Sequence, residues 1–174
     1  MTKRYVFTGS SYSGKTTVIG ELARQGFSTV PEAATIVISE QLATGEDILP
    51  WTKRDEFFEK LIEKQLKLEA KVPADRETVF LDRSMPDELA YFNYFRIKPT
   101  DSYERAFKEH RYDRVFLFET LPGYQQDEIR REPLEMVLDL RVLHEQAYRE
   151  LGYNVITVPV MSVPERVNFI LDRI

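Results

Sequence analysis

One stretch constrains the fold of this chain more than any other: Arg4 to Val18, RYVFTGSSYSGKTTV. The run Tyr5-Val6-Phe7-Thr8 predicts a buried strand, and Lys15-Thr16-Thr17 opens a helix whose apolar positions are Val18, Ile19, Leu22 and Ala23. Between them the chain matches the phosphate-binding pattern G-x-x-x-x-G-K-[ST], with Gly9 and Gly14 as its glycines. Strand, glycine-bracketed loop and helix in that order let successive N–H groups curl toward phosphate oxygens while the helix aims its positive end at the same point. The predicted nucleotide site is therefore Gly9, Ser10, Ser11, Tyr12, Ser13, Gly14, Lys15, Thr16 and Thr17. Lys15 is placed to reach the outer phosphates, and the Thr16 hydroxyl to ligate a Mg²⁺ ion bridging them.

Downstream, apolar strand runs alternate with helical patterns. Gln25-Gly26 stops the first helix, Phe27–Val30 predicts a second strand ending at Pro31-Glu32, and Ala33–Thr44 predicts a helix closed by Gly45. Thr52 to Asp55 carries a capping-box pattern ahead of a long amphipathic helix through Lys71, with Phe57, Phe58, Leu61, Ile62, Gln65 and Leu68 at helical spacing. Thr78–Leu81 is a third strand; Ser84 with Asp87 starts a helix through Phe95, and a short helix begins near Asp101. Val115–Phe118 is the fourth strand, Leu121–Gln126 a punctuated loop, Glu132–Leu151 a helix, Asn154–Val158 the fifth strand, and Ser162–Glu165 caps a last helix. Five strand-helix alternations without a hairpin signal predict an α/β fold with a mainly parallel sheet.

Composition bounds the function. A chain of 174 residues matches one domain. Zero cysteines exclude disulfides, thiolate zinc sites and cysteine nucleophiles, and two histidines leave little for a metal cluster. Met1 to Arg4 runs straight into the first strand and no apolar run approaches membrane-spanning length, so a cytoplasmic protein without a signal peptide is expected. With 24 basic and 29 acidic residues the net charge is −5, which argues against a broad nucleic-acid surface.

In parallel sheets ligands gather beyond the carboxyl ends of the strands, which selects Glu32, Asp82-Arg83 and Glu119 beside the glycine loop. Asp82 suits a water-mediated Mg²⁺ contact, with Glu119 as competitor; capping of the next helix is the structural alternative. The adjacent Arg83 offers a guanidinium to phosphate or substrate. Glu32 could accept a hydroxyl proton or be a solvated glutamate at a helix start. Arg130 and Arg131 could close over a triphosphate or be simply solvated. Among Tyr91, Phe92, Tyr94 and Phe95, the two phenylalanines share a face with Leu89 and are assigned to the core, leaving Tyr91 or Tyr94 for ligand contact. Trp51, the single tryptophan, is undecided.

Taken together, GSSYSGKTT, PEAATIVISEQ, FLDRSMPD, the arginine doublet and Gly152-Tyr153-Asn154-Val155 resemble the AAA_28 family of P-loop proteins over nearly the whole chain. That family is similar to the ribosylnicotinamide kinase domain and, more distantly, to deoxynucleoside kinases. The resemblance implies a P-loop kinase-like three-layer α/β/α fold with strand order 2-3-1-4-5. It implies an acidic base at Glu32, an acidic-Arg-Ser motif at Asp82, Arg83 and Ser84, and lid arginines at Arg130 and Arg131. Deoxynucleoside kinases carry Glu where this chain has Asp82.

The leading expectation is an ATP- and Mg²⁺-dependent kinase acting on a hydroxyl of a small nucleoside-like or polar metabolite. A nucleoside triphosphatase, or a nucleotide switch acting through a protein partner, is the alternative. No Asn-Lys-x-Asp guanine motif is present, and the acidic balance disfavours a polynucleotide kinase.

Overall fold

The computed structural model describes residues 2–73, 75–126, 128–129 and 131–174. Its centre is a five-stranded sheet of β1 (Lys3–Thr8), β2 (Ser28–Val30), β3 (Thr78–Asp82), β4 (Arg114–Phe118) and β5 (Val155–Val158). All pairings are parallel and the order is β2-β3-β1-β4-β5, as the resemblance implied. Among the described residues, seven helices connect and cover it: α1 (Lys15–Arg24), α2 (Ala33–Thr44), α3 (Arg54–Ala70), α4 (Met85–Phe95), α5 (Asp101–Glu109), α6 (Leu134–Glu150) and α7 (Val163–Leu171).

The period-two alternation of the strands divides the core by residue type. Tyr5, Phe7, Phe80, Phe116 and Phe118 face α1 and α7, where they pack with Val18, Leu22 and Ile170. Val6, Val79, Leu81, Val115 and Leu117 occupy the opposite face with Tyr148 of α6. Burying each of these large side chains contributes about 1.5–3 kcal/mol. A third cluster lies among the helices: Phe57, Phe58, Leu61 and Ile62 of α3 pack with Val37 and Ile38 of α2, Phe92 of α4 and Phe107 of α5.

Two predicted boundaries differ, each for a stated reason. Thr52 caps nothing: the N-cap of α3 is Lys53, while the Thr52 hydroxyl bonds the Asp47 carbonyl within its own turn. The helix expected from Glu132 begins at Leu134 with Pro133 as N-cap, because a residue preceding proline is driven out of helical conformation. Glu132 is thereby left in the loop, with its carboxylate free to reach other elements.

The register sets the site. Phe7 pairs with Asp82 across β1 and β3, so the end of β3 lies beside the start of the glycine loop. At the end of β4, Phe118 comes so close to Gly9 that a Cβ there would stand 2.7 Å from the Phe118 carbonyl oxygen. With φ at +124°, Gly9 admits no other residue.

Candidate active site

The β1–α1 loop wraps its own lysine. Lys15 Nζ donates to the Gly9 carbonyl at 3.1 Å, the Ser10 carbonyl at 2.9 Å and Ser13 Oγ at 3.1 Å. Burial, reinforced by the Arg83 guanidinium, pulls the Lys15 ammonium down to about 8. Gly14 is the N-cap of α1 with φ +83°, and a Cβ there would meet Arg166 Nη1 at 2.9 Å. From α7, Arg166 donates from Nη1 to the Ser13 carbonyl at 2.6 Å and from Nε to the Pro159 carbonyl at 3.0 Å. Its guanidinium thus braces the loop from behind. Ser10 Oγ bonds Thr120 Oγ1 at 2.8 Å, and Ser11 Oγ donates to Glu132 at 3.0 Å. Tyr12 sits at φ +60°, a left-handed conformation uncommon outside glycine. The residues from Ser11 to Thr17 line a cavity of about 300 Å³, together with Glu32, Arg83, Leu121 and Glu132.

At the β3 end, the Thr16 hydroxyl donates to Asp82 Oδ2 at 2.7 Å. Asp82 Oδ1 is buried and has no hydrogen-bond partner among the described residues. Burial, with Glu32 adding repulsion, raises the Asp82 carboxyl to about 6. The helix-cap alternative for Asp82 is overturned: the N-cap of α4 is Ser84, whose N–H donates to Asp87 Oδ2 at 3.0 Å. Glu119, the competing carboxylate, pairs with Arg141 and lines neither cavity described here.

Arg83 is the hub. It is 5% exposed, holds φ at +70°, and anchors its N–H on the Phe7 carbonyl at 3.0 Å. A left-handed arginine stores backbone strain of order 1–3 kcal/mol, which its surroundings must over-determine. They do so through Nε to Glu32 Oε1 at 2.6 Å and Nη1 to Asp87 Oδ1 at 3.1 Å. Nη1 also lies 3.1 Å from His144 Nε2. Burial drives the His144 imidazole well below its ordinary range. The neutral ring therefore accepts from Arg83 at Nε2 and carries its proton on Nδ1, 3.4 Å from Asp87 Oδ1. Asp87 also accepts from Thr8 Oγ1 at 2.7 Å, tying α4 to β1. The second oxygen of Glu32 accepts from Thr35 Oγ1 at 2.7 Å. Burial alone would raise Glu32, but Arg83 and Lys15 outweigh it and hold the carboxyl at about 2. Glu32 is thus a paired carboxylate rather than a solvated one.

A second cavity, of about 260 Å³, adjoins the first and shares Arg83, Tyr91, Ile129 and Glu132 with it. Its walls are aromatic: Trp51, Phe57, Phe58, Tyr91 and Phe95. Arg54 lies 3.8 Å above the Phe95 ring and Arg131 lies 4.2 Å above Trp51. The aromatic expectation is corrected in part: Tyr91 lines the cavity as expected, but so does Phe95, which sequence spacing assigned to the core. Tyr94 lines neither cavity and stacks edge-on to Phe95 with ring centroids 5.1 Å apart. Glu88, 4% exposed, also lines this cavity, and its Oε2 is buried with no hydrogen-bond partner among the described residues. It stands in the first turn of α4, where the helix dipole favours a carboxylate by about 0.3–1 kcal/mol. Burial is the larger effect, and with Asp87 beside it raises the Glu88 carboxyl to about 8.

Lys15, Thr16, Glu32 and Arg83 are therefore brought together around one cavity with the run Ser11 to Thr17, whereas Asp82 lies behind its wall, joined to it through Thr16. Arg130 lies outside the described residues. Sequence reasoning missed Glu88, Glu132, His144 and Arg166, and it read Asp87 only as a helix cap. The four-residue spacing of Asp87 from Arg83 was a usable signal for their ion pair. Nothing local pointed to Glu88, Glu132, His144 or Arg166.

The fold has known counterparts. The NadR protein in complex with NR aligns with a TM-score of 0.70 at 18% identity, over 98% of this chain and 49% of that one. The chain thus spans about half the length of NadR. Thymidylate kinase from Ehrlichia chaffeensis aligns with a TM-score of 0.67 at 13% identity, over 98% of this chain and 97% of that one. At such identities the likeness is one of fold, that of the P-loop kinases. No curated protein sequence matches. The AAA_28 family, described as an AAA domain, matches residues 4–166. The chain belongs to the AAA_28 family.

Proposed function

We propose that this protein is an ATP-dependent kinase that moves the γ-phosphoryl group onto a hydroxyl of a small nucleoside-like or polar metabolite. One observation carries the reading: a loop-lined polar cavity and an aromatic cavity adjoin and share Arg83, Tyr91 and Glu132 in their walls. A triphosphatase needs only the first. Two adjoining pockets of different chemistry suit a reaction that must align two substrates.

In this reading the loop N–H groups and the α1 N-terminus hold the donor phosphates. Lys15 Nζ exchanges the Gly9 and Ser10 carbonyls for phosphate oxygens, which as charged acceptors make the stronger bonds. Arg83 is fixed at the junction and neutralises charge that develops on the transferring group. Glu32 orients the acceptor hydroxyl and receives its proton. With its carboxyl held at about 2 it is a weak base, which suits a loose transition state where the proton leaves late and positioning matters most. Arg130 is assigned to the lid on the family resemblance.

The residues fit a Mg²⁺ ion, because Asp82 Oδ1 is buried without a partner among the described residues and Thr16 Oγ1 lies beside Oδ2. Thr16 and Asp82 would hold it, the carboxylate through water, and when bound the ion supplies charge neutralisation between the donor phosphates. The test is ATP consumption against pools of hydroxylated metabolites. Acceptor-stimulated turnover supports the kinase; phosphate release at the same rate with every pool and with none supports a triphosphatase or switch.

A further inference from the structure

Among the described residues, Glu88 is the one buried carboxyl of the aromatic cavity with neither a structural partner nor a place in phosphoryl transfer. Its neighbour Asp87 is consumed by Arg83, Thr8, Ser84 and Tyr148. The other carboxylate of the cavity, Glu132, is engaged by Ser11 and by Tyr91, whose hydroxyl donates at 3.3 Å. Glu88 lines an apolar, ring-walled space, and its buried Oε2 has no such partner among the described residues. A buried polar atom left this way destabilises the fold unless a ligand satisfies it. The cavity's charged lining is Arg54, Arg83 and Arg131 against Glu88 and Glu132, so a cationic ligand meets a net repulsive surround. A volume of about 260 Å³ suits one ring system rather than a larger ligand.

We propose that the aromatic cavity selects an uncharged, planar heteroaromatic ring, and that Glu88 is its specificity-determining residue, pairing as a neutral carboxyl with an adjacent hydrogen-bond donor and acceptor on the ring edge. This deepens the kinase reading and rests on it for one point only, that the ring belongs to the phosphoryl acceptor. A neutral carboxyl offers one O–H donor and one carbonyl acceptor side by side. The matching partner is an amino-heteroaryl or lactam edge. The aromatic walls hold the ring by stacking or edge contacts, and the carboxyl discriminates among rings of equal size. The supporting direction of its ionisation, raised by burial, agrees with the geometry.

Trp51 supplies a local readout, because it is the single tryptophan and lines this cavity. Its indole N–H resonance is followed in the ¹⁵N-labelled full chain, without nucleotide, during titration with 2-aminopyrimidine, toluene and N-methylpyridinium. The expected result is saturable binding of 2-aminopyrimidine, at least about ten-fold weaker binding of toluene and of the cation, and about ten-fold loss for 2-aminopyrimidine in Glu88→Leu. Glu88→Gln keeps a donor and an acceptor and should retain the affinity. Preferential binding of N-methylpyridinium, abolished by Glu88→Gln, would overturn the proposal in favour of an ionised Glu88. Equal binding of 2-aminopyrimidine by wild type and Glu88→Leu, or none that moves the Trp51 resonance, would also overturn it. Ring binding as described in a protein without acceptor-stimulated ATP turnover contradicts the kinase reading alone. Turnover with an acceptor lacking such a ring contradicts the Glu88 assignment alone.

Discussion

The two cavities meet at Arg83 but are built on opposite terms. In the loop cavity the polar groups are largely satisfied from within: Lys15 bonds three loop acceptors, Ser10 bonds Thr120, and Glu32 is held by Arg83 and Thr35. The aromatic cavity leaves Glu88 Oε2 unpartnered among the described residues, inside a wall of rings. The first is lined along one side by the contiguous run Ser11 to Thr17 and closed by residues such as Glu32, Arg83 and Leu121, whereas the second has no such run and is assembled from α2, α3, α4 and the segment leading into α6. A site satisfied by its own backbone can serve any nucleotide phosphate. A site with an open hydrogen-bonding group inside an apolar wall is built to discriminate.

The comparison breaks first at Lys15. Lys15→Ala should leave the fold intact yet lower ATP turnover by about 10²–10³-fold, the usual cost of removing a donor aimed at developing charge. Ring binding followed at Trp51 should not change. Steady-state kinetics with the Trp51 titration checks both halves, and parallel loss of the two would show the cavities to be one site.

Glu32 tests the junction. Glu32→Gln keeps the shape but removes the anion beside Arg83, and should lower acceptor phosphorylation by about 10²-fold while ATP affinity barely changes. Asp87 still holds the Arg83 guanidinium in that variant. Weakened ATP and Mg²⁺ binding with acceptor dependence intact would place Glu32 with the metal instead.

Glu88 sharpens the contrast through stability. Its carboxyl sits at about 8 in the folded chain against an ordinary 4.5, so the folded state holds more protons between those values and stability falls as pH rises from 4.5 to 8. Below 4.5 the carboxyl is neutral in both states and contributes nothing. The stability of Glu88→Leu relative to the wild type should therefore increase with pH, by on the order of a few kcal/mol between pH 4 and pH 8. Denaturant melts across that range measure it, and a gain independent of pH would mean Glu88 is already ionised.

The smallest effect is expected at Leu121 to Gln126. Leu121 N–H donates to the Tyr12 carbonyl at 3.1 Å and Tyr124 meets the Tyr12 ring at 5.8 Å, so this segment is coupled to the loop at φ-strained Tyr12. Hydrogen exchange there should slow several-fold with Mg²⁺ and a non-hydrolysable ATP analogue. Equal exchange in both states would mean that this segment does not close over the nucleotide.

What could be read from the sequence follows the same division. The strands, the glycine loop, Asp82 and Arg83 are legible because each depends on neighbours a few positions away: an apolar run, a glycine pair, a strand end. Glu88 hides inside a helix that looks like a capping box followed by core. Glu132 reads as the first residue of α6 by apolar pattern, but Pro133 after it bars the helical conformation there. Phe95 reads as core from a helical face that also borders a cavity, since spacing says which side of a helix is apolar but not whether the space beyond is filled. His144 acts from α6 on Arg83 and Asp87, and Arg166 acts from α7 on Ser13 of the glycine loop, and no local pattern encodes such contacts.

The most direct test of the two-cavity account is the fate of the γ-phosphate, followed by ³¹P NMR with Mg-ATP and hydroxyl compounds carrying an uncharged amino-heteroaryl ring. The account predicts a new phosphoester signal that grows in step with ADP, appears only when the ring-bearing acceptor is present, and is lost in Lys15→Ala. Inorganic phosphate accumulating with ADP at the same rate whether or not any acceptor is added, with no phosphoester formed, would contradict it.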